Sequence, residues 1–112
     1  MANFYKSILY DPADTNLNTL YTAPSNARAI IQNIQIANEQ GSRTISVQVT
    51  DTSASQTVQV AFDSFSGVSC VNIAKGPIII EENDVLKAQV SDSADISGAI
   101  SILEISREDQ NG

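Results

Sequence analysis

The sequence predicts an all-β fold, an antiparallel β-sandwich of about eight short strands, jelly-roll-like or barrel-like in its connections. Three observations predict it. Apolar and polar residues alternate with a period of two along several stretches; the apolar positions are mostly Ile and Val; and clusters of Asp, Asn, Ser, Gly and Pro separate the stretches. A length of 112 residues suits one domain with a single core.

Residues 3–9 can extend, and 11–18 (DPADTNLN) interrupt them with the Pro, Asp and Asn chemistry of turns. Residues 20–23 form a brief strand stopped by Pro24, after which Ser25 and Asn26 lead into 29–38 (AIIQNIQIAN). β-branched enrichment makes that run a strand rather than a helix, expected to be central. Its Ile30, Ile34 and Ile36 share one face, with Ile31 on the other. Residues 39–42 (EQGS) suit a hairpin loop, and Ile45, Val47 and Val49 then alternate without a break against Thr44, Ser46, Gln48 and Thr50. After a turn at 51–56, Val58, Val60 and Phe62 alternate in the same way, so their side chains are expected in the core and the two strands are expected to pair as a meander.

Residues 64–67 break the pattern and 68–74 resume it, with a face change at Cys70 and Val71 that a bulge or a doubly buried stretch would explain. Gly76 and Pro77 end that strand. The apolar triplet Ile78, Ile79 and Ile80 runs into Glu81, Glu82, Asn83 and Asp84, a tight reversal in which Asn83 suits a left-handed conformation. Leu86, Ala88 and Val90 share a face, 92–98 form a polar loop, and 99–106 close the fold with Ile100, Ile102, Leu103 and Ile105. The chain therefore divides into 1–18, an N-terminal arm or edge strand; 19–106, the sandwich; and 107–112, a flexible tail.

Composition excludes much chemistry. With no histidine, a Ser-His-Asp triad cannot be assembled, and a Ser-Lys pair needs a buried lysine, whereas Lys75 and Lys87 fit solvated strand positions. The single cysteine, Cys70, has no partner for a disulfide within the chain and lies between Val68 and Val71, the pattern of a small buried hydrophobe. Glu81, Glu82, Asp84, Asp92, Asp95 and Asp63 cluster near turns, but their spacing is not that of a calcium loop, so they read as solvated acidic turns. A glycosidase cleft is disfavoured by the absence of Trp. The expectation is a protein that is not an enzyme, with no cofactor and no metal.

The net charge is −7, and the cations Lys6, Arg28, Arg43, Lys75, Lys87 and Arg107 are dispersed, which argues against nucleic acid as a partner. No apolar run approaches the roughly 20 residues of a membrane-spanning helix, and the start MANFYKSILY lacks the layout of a secretory signal, so synthesis in a cytoplasm is expected. The aromatic residues are uneven: Phe4, Tyr5, Tyr10 and Tyr21 fall near the N-terminus, and only Phe62 and Phe65 lie later. Aromatic side chains are enriched at interfaces, which makes these four the candidate partner contacts. Equally, Phe4 and Tyr5 can belong to a first strand that covers a sheet edge.

The run from Leu20 to Asn26 (LYTAPSN), the Ile-rich strand ending in Ala37 and Asn38, the IEENDV turn at 80–85 and the closing SILEI at 101–105 resemble small all-β virion proteins of tailed bacteriophages. The resemblance covers about 19–106, and Asn83 stands where the turn pattern usually has Gly. It implies a capsid decoration or cement protein bound to the major capsid protein lattice, homo-oligomeric with a trimer favoured, and located in the virion. The alternatives it leaves are a tail, neck, baseplate or fibre component; a sandwich that binds a host glycan or receptor is the rival from another class.

Overall fold

The computed structural model describes residues 2–106, so the tail expected at 107–112 lies outside the described residues. Among them are nine strands and no helix: β1 (Ala2–Tyr10), β2 (Asn18–Thr22), β3 (Ala27–Asn38), β4 (Arg43–Asp51), β5 (Gln56–Phe65), β6 (Ser69–Asn72), β7 (Ile78–Ile80), β8 (Val85–Val90) and β9 (Ile96–Ser106). They form two antiparallel sheets. One has the order β1-β9-β3-β6 with β7 also on β3, and the other has the order β2-β8-β4-β5. Chain connections jump between the sheets except at β4 to β5 and β6 to β7, which is the double Greek key of a jelly roll.

The meander of β4 and β5 is present, but the hairpin expected at 39–42 is not. Residues 39–42 carry the chain from β3 in one sheet to β4 in the other. The physical reason is occupancy. At its C-terminal end β3 already pairs with β9 on one side (Asn38 with Ile96) and with β6 on the other (Asn38 with Ser69), so no edge is left for β4. Gly41 at φ 64 makes the turn away, and Asn38 Nδ2 donates to the carbonyls of Gly41 and Gly67 at 2.9 Å each.

A second correction concerns β3 itself. Its buried side chains are Ala27, Ala29 and Ile31, then Ile34, Ile36 and Asn38, so the inward parity changes midway. The register against β9 shifts between Ile31 and Asn33, which leaves Gln32 as the extra residue of a bulge. Ile31 therefore shares the core with Ile34 and Ile36, and Ile30 faces outward. The bulge lies where the facing edge is also broken, between β6 and β7. There the Ile73 amide still reaches the Ile34 carbonyl (2.9 Å), while Asn72 Oδ1 accepts from the amides of Ile34 (2.9 Å) and Ala74 (3.1 Å). Asn72 thus satisfies backbone donors that an unbroken strand would have paired.

The core lies between the sheets. β3 and β9 supply Ile31, Ile34, Ile36, Ile100 and Ile102, and β4 and β8 supply Ile45, Val47, Leu86, Ala88 and Val90, all 2% exposed or less. Each buried Ile, Leu or Val contributes about 1.5–3 kcal/mol relative to leaving it in water. At one end the turns lock together: the Ala23 amide donates to the Asp84 carbonyl and the Asn83 amide to the Ala23 carbonyl, both at 3.0 Å, with Asn83 left-handed at φ 69 as its sequence context predicts. At the other end Arg43, 7% exposed, donates from Nε to the Ala94 carbonyl (2.9 Å).

Deleting Gln32 removes the extra residue and puts Ile31 two positions from Ile34 on one continuous face, so the cooperative thermal transition should be kept, whereas one further residue inserted between Asn33 and Ile34 should turn the later inward residues of β3 outward and abolish it. Gln32→Ala, at an exposed position, should change stability by no more than about 0.5 kcal/mol in denaturant titration.

Candidate interaction surfaces

No three carboxylate or thiol groups gather into a cluster that would hold a metal ion among the described residues. The acidic turns are instead engaged locally. Asp84 Oδ2 accepts from the Glu81 amide (3.1 Å), Asp51 Oδ1 accepts from Ser53 Oγ (2.8 Å) and the Ala54 amide (3.1 Å), and Asp92 Oδ1 accepts from the Ala94 amide (3.0 Å). Hydrogen bonds from Ser53 and from the Ala54 amide hold the Asp51 carboxyl below the usual carboxylate range.

Cys70 is exposed, which corrects the buried reading. It lies on the short edge strand β6 opposite Ala37, on the outward side of the sheet, and Gln35 Nε2 approaches its Sγ at 3.3 Å. The apolar residues of β5 require the same kind of correction. Val58 is 47%, Val60 36% and Phe62 55% exposed, whereas Ala61 and Phe65 are buried. A second bulge explains it: the register of β5 against β4 shifts between Val47 and Gln48, with Val60 as the extra residue. Parity reverses across it. Phe62, opposite Ser46, faces outward, while Val58, opposite Val49, faces inward beyond the end of the packed core.

The four aromatic candidates separate into two pairs. Phe4 is 45% and Tyr5 80% exposed on β1, which pairs with β9 along its whole length and forms one edge of its sheet. Tyr10 and Tyr21 are 4% and 8% exposed and belong to the core, so their rings are closed to a partner in this conformation. Tyr21 is there because Glu104 is there. The carboxylate of Glu104, 6% exposed, accepts from the Tyr21 hydroxyl at 2.5 Å and pairs with Lys6 Nζ at 3.2 Å, which compensates a buried charge. Burial, then the hydrogen bond and charge of Glu104, push the Tyr21 phenol well above its usual range. Burial, with the Asp14 charge adding to it, pushes Tyr10 up to about 12.

The outward side of the five-stranded sheet carries a feature that alternation along single strands does not reveal. Tyr5 stands opposite Leu103, Leu103 opposite Ile30, and Ile30 opposite Ile79. The four side chains form one apolar row across β1, β9, β3 and β7, its ends exposed at 80% (Tyr5) and 56% (Ile79). Ile79 in turn borders an open groove of ≈ 350 Å³ between β5 and β7, lined by Val49, Val58, Val60 and Ile78 and by the acidic residues Asp51, Glu81 and Asp84. Among the described residues no Asp or Glu occupies an outward strand position on either sheet; the exposed acids sit in turns and at strand ends. A surface that is apolar along one line and free of acids around it is suited to protein contact.

The molecule is a single jelly-roll sandwich whose distinguishing features are surfaces. No protein-family profile matches the chain, and no curated protein sequence matches it. Solved structures do. A chain of the acid-stable capsid of Helicobacter pylori bacteriophage KHP30 is similar with a TM-score of 0.59 and 14% identity, over 93% of this chain and 87% of that one. The core of a Drosophila protein, NLP, described for pentamer formation and histone binding, gives 0.56 and 14% over 91% of this chain and 98% of that chain. A chain of the T13 particle of infectious bursal disease virus gives 0.56 and 11% over 94% of this chain; that match spans 31% of the viral chain. At these identities the likeness is one of fold.

Tyr21→Phe should lower stability by about 1.5–3 kcal/mol, the value of a hydrogen bond to a charged group, while Tyr5→Ser should leave it within about 0.5 kcal/mol. Chemical unfolding of both variants checks the contrast. Because the phenol of Tyr10 ionises near 10 in the unfolded chain and at about 12 when folded, its contribution is complete below pH 10 and is lost as pH rises toward 12. Stability measured from pH 8 to 11.5 should therefore fall above pH 10, and less steeply in Tyr10→Phe.

Proposed function

We propose that this protein is a structural subunit of a virus particle: a small jelly-roll module that decorates and stabilises a bacteriophage capsid by binding the lattice of the major capsid protein. The observation that carries the reading is the apolar row Tyr5, Leu103, Ile30 and Ile79, an outward surface on a fold whose interior is already filled. Two further facts support it. The bacteriophage capsid chain with a similar fold is matched over 87% of its length, so a sandwich of similar size occurs in that capsid. The residue inventory, without histidine and with one exposed thiol, favours adhesion over a reaction.

A decoration subunit acts as a ligand selective for the assembled shell, so its binding stabilises the shell by mass action. The subunit is taken to be a homo-oligomer, with three copies around a local symmetry axis favoured. Cyclic rings need two different complementary patches on each copy, and the exposed β1 edge and the β5–β7 groove are two such patches.

The test is reconstitution. Purified protein added to shells lacking it should bind saturably, at many copies per particle, and raise the temperature at which the shells disassemble. Ile30→Ser combined with Leu103→Ser, both half-buried on the outward side, should weaken that binding by about tenfold or more. Copies confined to the tail would place the protein among the tail components instead, and absence from purified particles would remove the virion reading.

A further inference from the structure

We infer that copies of this chain associate side by side and head to tail, with the β1 edge of one copy seated on the β5–β7 groove of the next. The inference deepens the proposed homo-oligomer by naming its two surfaces, and it rests on that reading only for its biological setting.

The two surfaces lie on opposite flanks of the sandwich. β1 and β2 lie against each other on one flank, and β5 and β7 border the groove on the other. Each flank exposes apolar side chains that the fold itself leaves uncovered: Phe4, Tyr5 and Leu9 on β1, at 45%, 80% and 79%, and Val58, Val60 and Ile79 around the groove, at 47%, 36% and 56%. A long exposed edge strand with apolar side chains is a liability unless something covers it.

Charge selects the occupant. The groove lining includes Asp51, Glu81 and Asp84, and β1 carries Lys6, whose side chain is 43% exposed although it pairs with Glu104. An apolar strand bearing one cation complements an apolar groove lined by three acidic residues, whereas two grooves facing each other would place like charges together. A second copy of this chain supplies that strand. The contact is heterologous, so each copy keeps one free surface until the ring closes.

The experiment uses complementary halves. Purified wild-type protein should sediment as a closed oligomer. Tyr5→Ser, with a damaged edge and an intact groove, and Val58→Asp, with a damaged groove and an intact edge, should each raise the dissociation constant about tenfold or more. Mixed, they should form a one-to-one heterodimer through the remaining intact edge and groove. Unchanged circular dichroism and melting temperature establish that each variant folds, and Val58→Thr, which conserves shape, should associate better than Val58→Asp. A monomeric wild type overturns the inference, and so do folded single variants that still form the full oligomer or a mixture in which no heterodimer appears. Shell binding is read separately. Retained binding by a monomer would sink this interface while leaving the capsid role standing, and a clean heterodimer without shell binding would do the reverse.

Discussion

Everything in this fold depends on the double pairing of β3. It pairs with β9 on one side and with β7 and β6 in turn on the other, so both sides are taken and β4 must pair elsewhere. That commitment sends β4 into the opposite sheet and creates the second layer. It also requires the inward face of β3 to stay apolar over its whole length, which a strict period of two would not achieve for Ile31, Ile34 and Ile36 together. The bulge at Gln32 reconciles the spacing with the core, and Asn72 supplies the acceptor where the neighbouring edge is interrupted.

Most of the architecture was legible in the residues because each strand carries its own alternation and each turn its own chemistry. The β4–β5 meander, the left-handed Asn83 and the closing strand all follow from local sequence. What escaped was non-local. A bulge changes parity without leaving a Gly or Pro to mark it, so alternation alone sets Ile31 and Phe62 on the wrong side. A signal was present for β3: no single period-2 face can hold both Ile31 and Ile34, and a long central strand that buries both must slip by one residue. For β5 only the pairing with β4 reveals that Phe62 stands over Ser46.

The exposure of the four aromatic candidates was half legible for a similar reason. Phe4 and Tyr5 are accessible, but Tyr10 and Tyr21 point inward, and the partner that draws Tyr21 in is 83 positions away at Glu104. The apolar row on the outer sheet was invisible because its members come from four strands. Leu103 and Ile30 look like ordinary core residues of their own segments, and only the register places them beside Tyr5 and Ile79.

Among the described residues no acid occupies an outward strand position of either sheet, so a contact made on those faces draws on apolar burial and hydrogen bonds, which salt screens little. The carboxylates of Asp51 and Glu81 stand instead beside the β5–β7 groove, where their attraction for a cation fades over roughly a Debye length, about 8 Å at physiological ionic strength. Raising the salt concentration therefore loosens whatever sits in the groove more than whatever lies on the outward face of the five-stranded sheet.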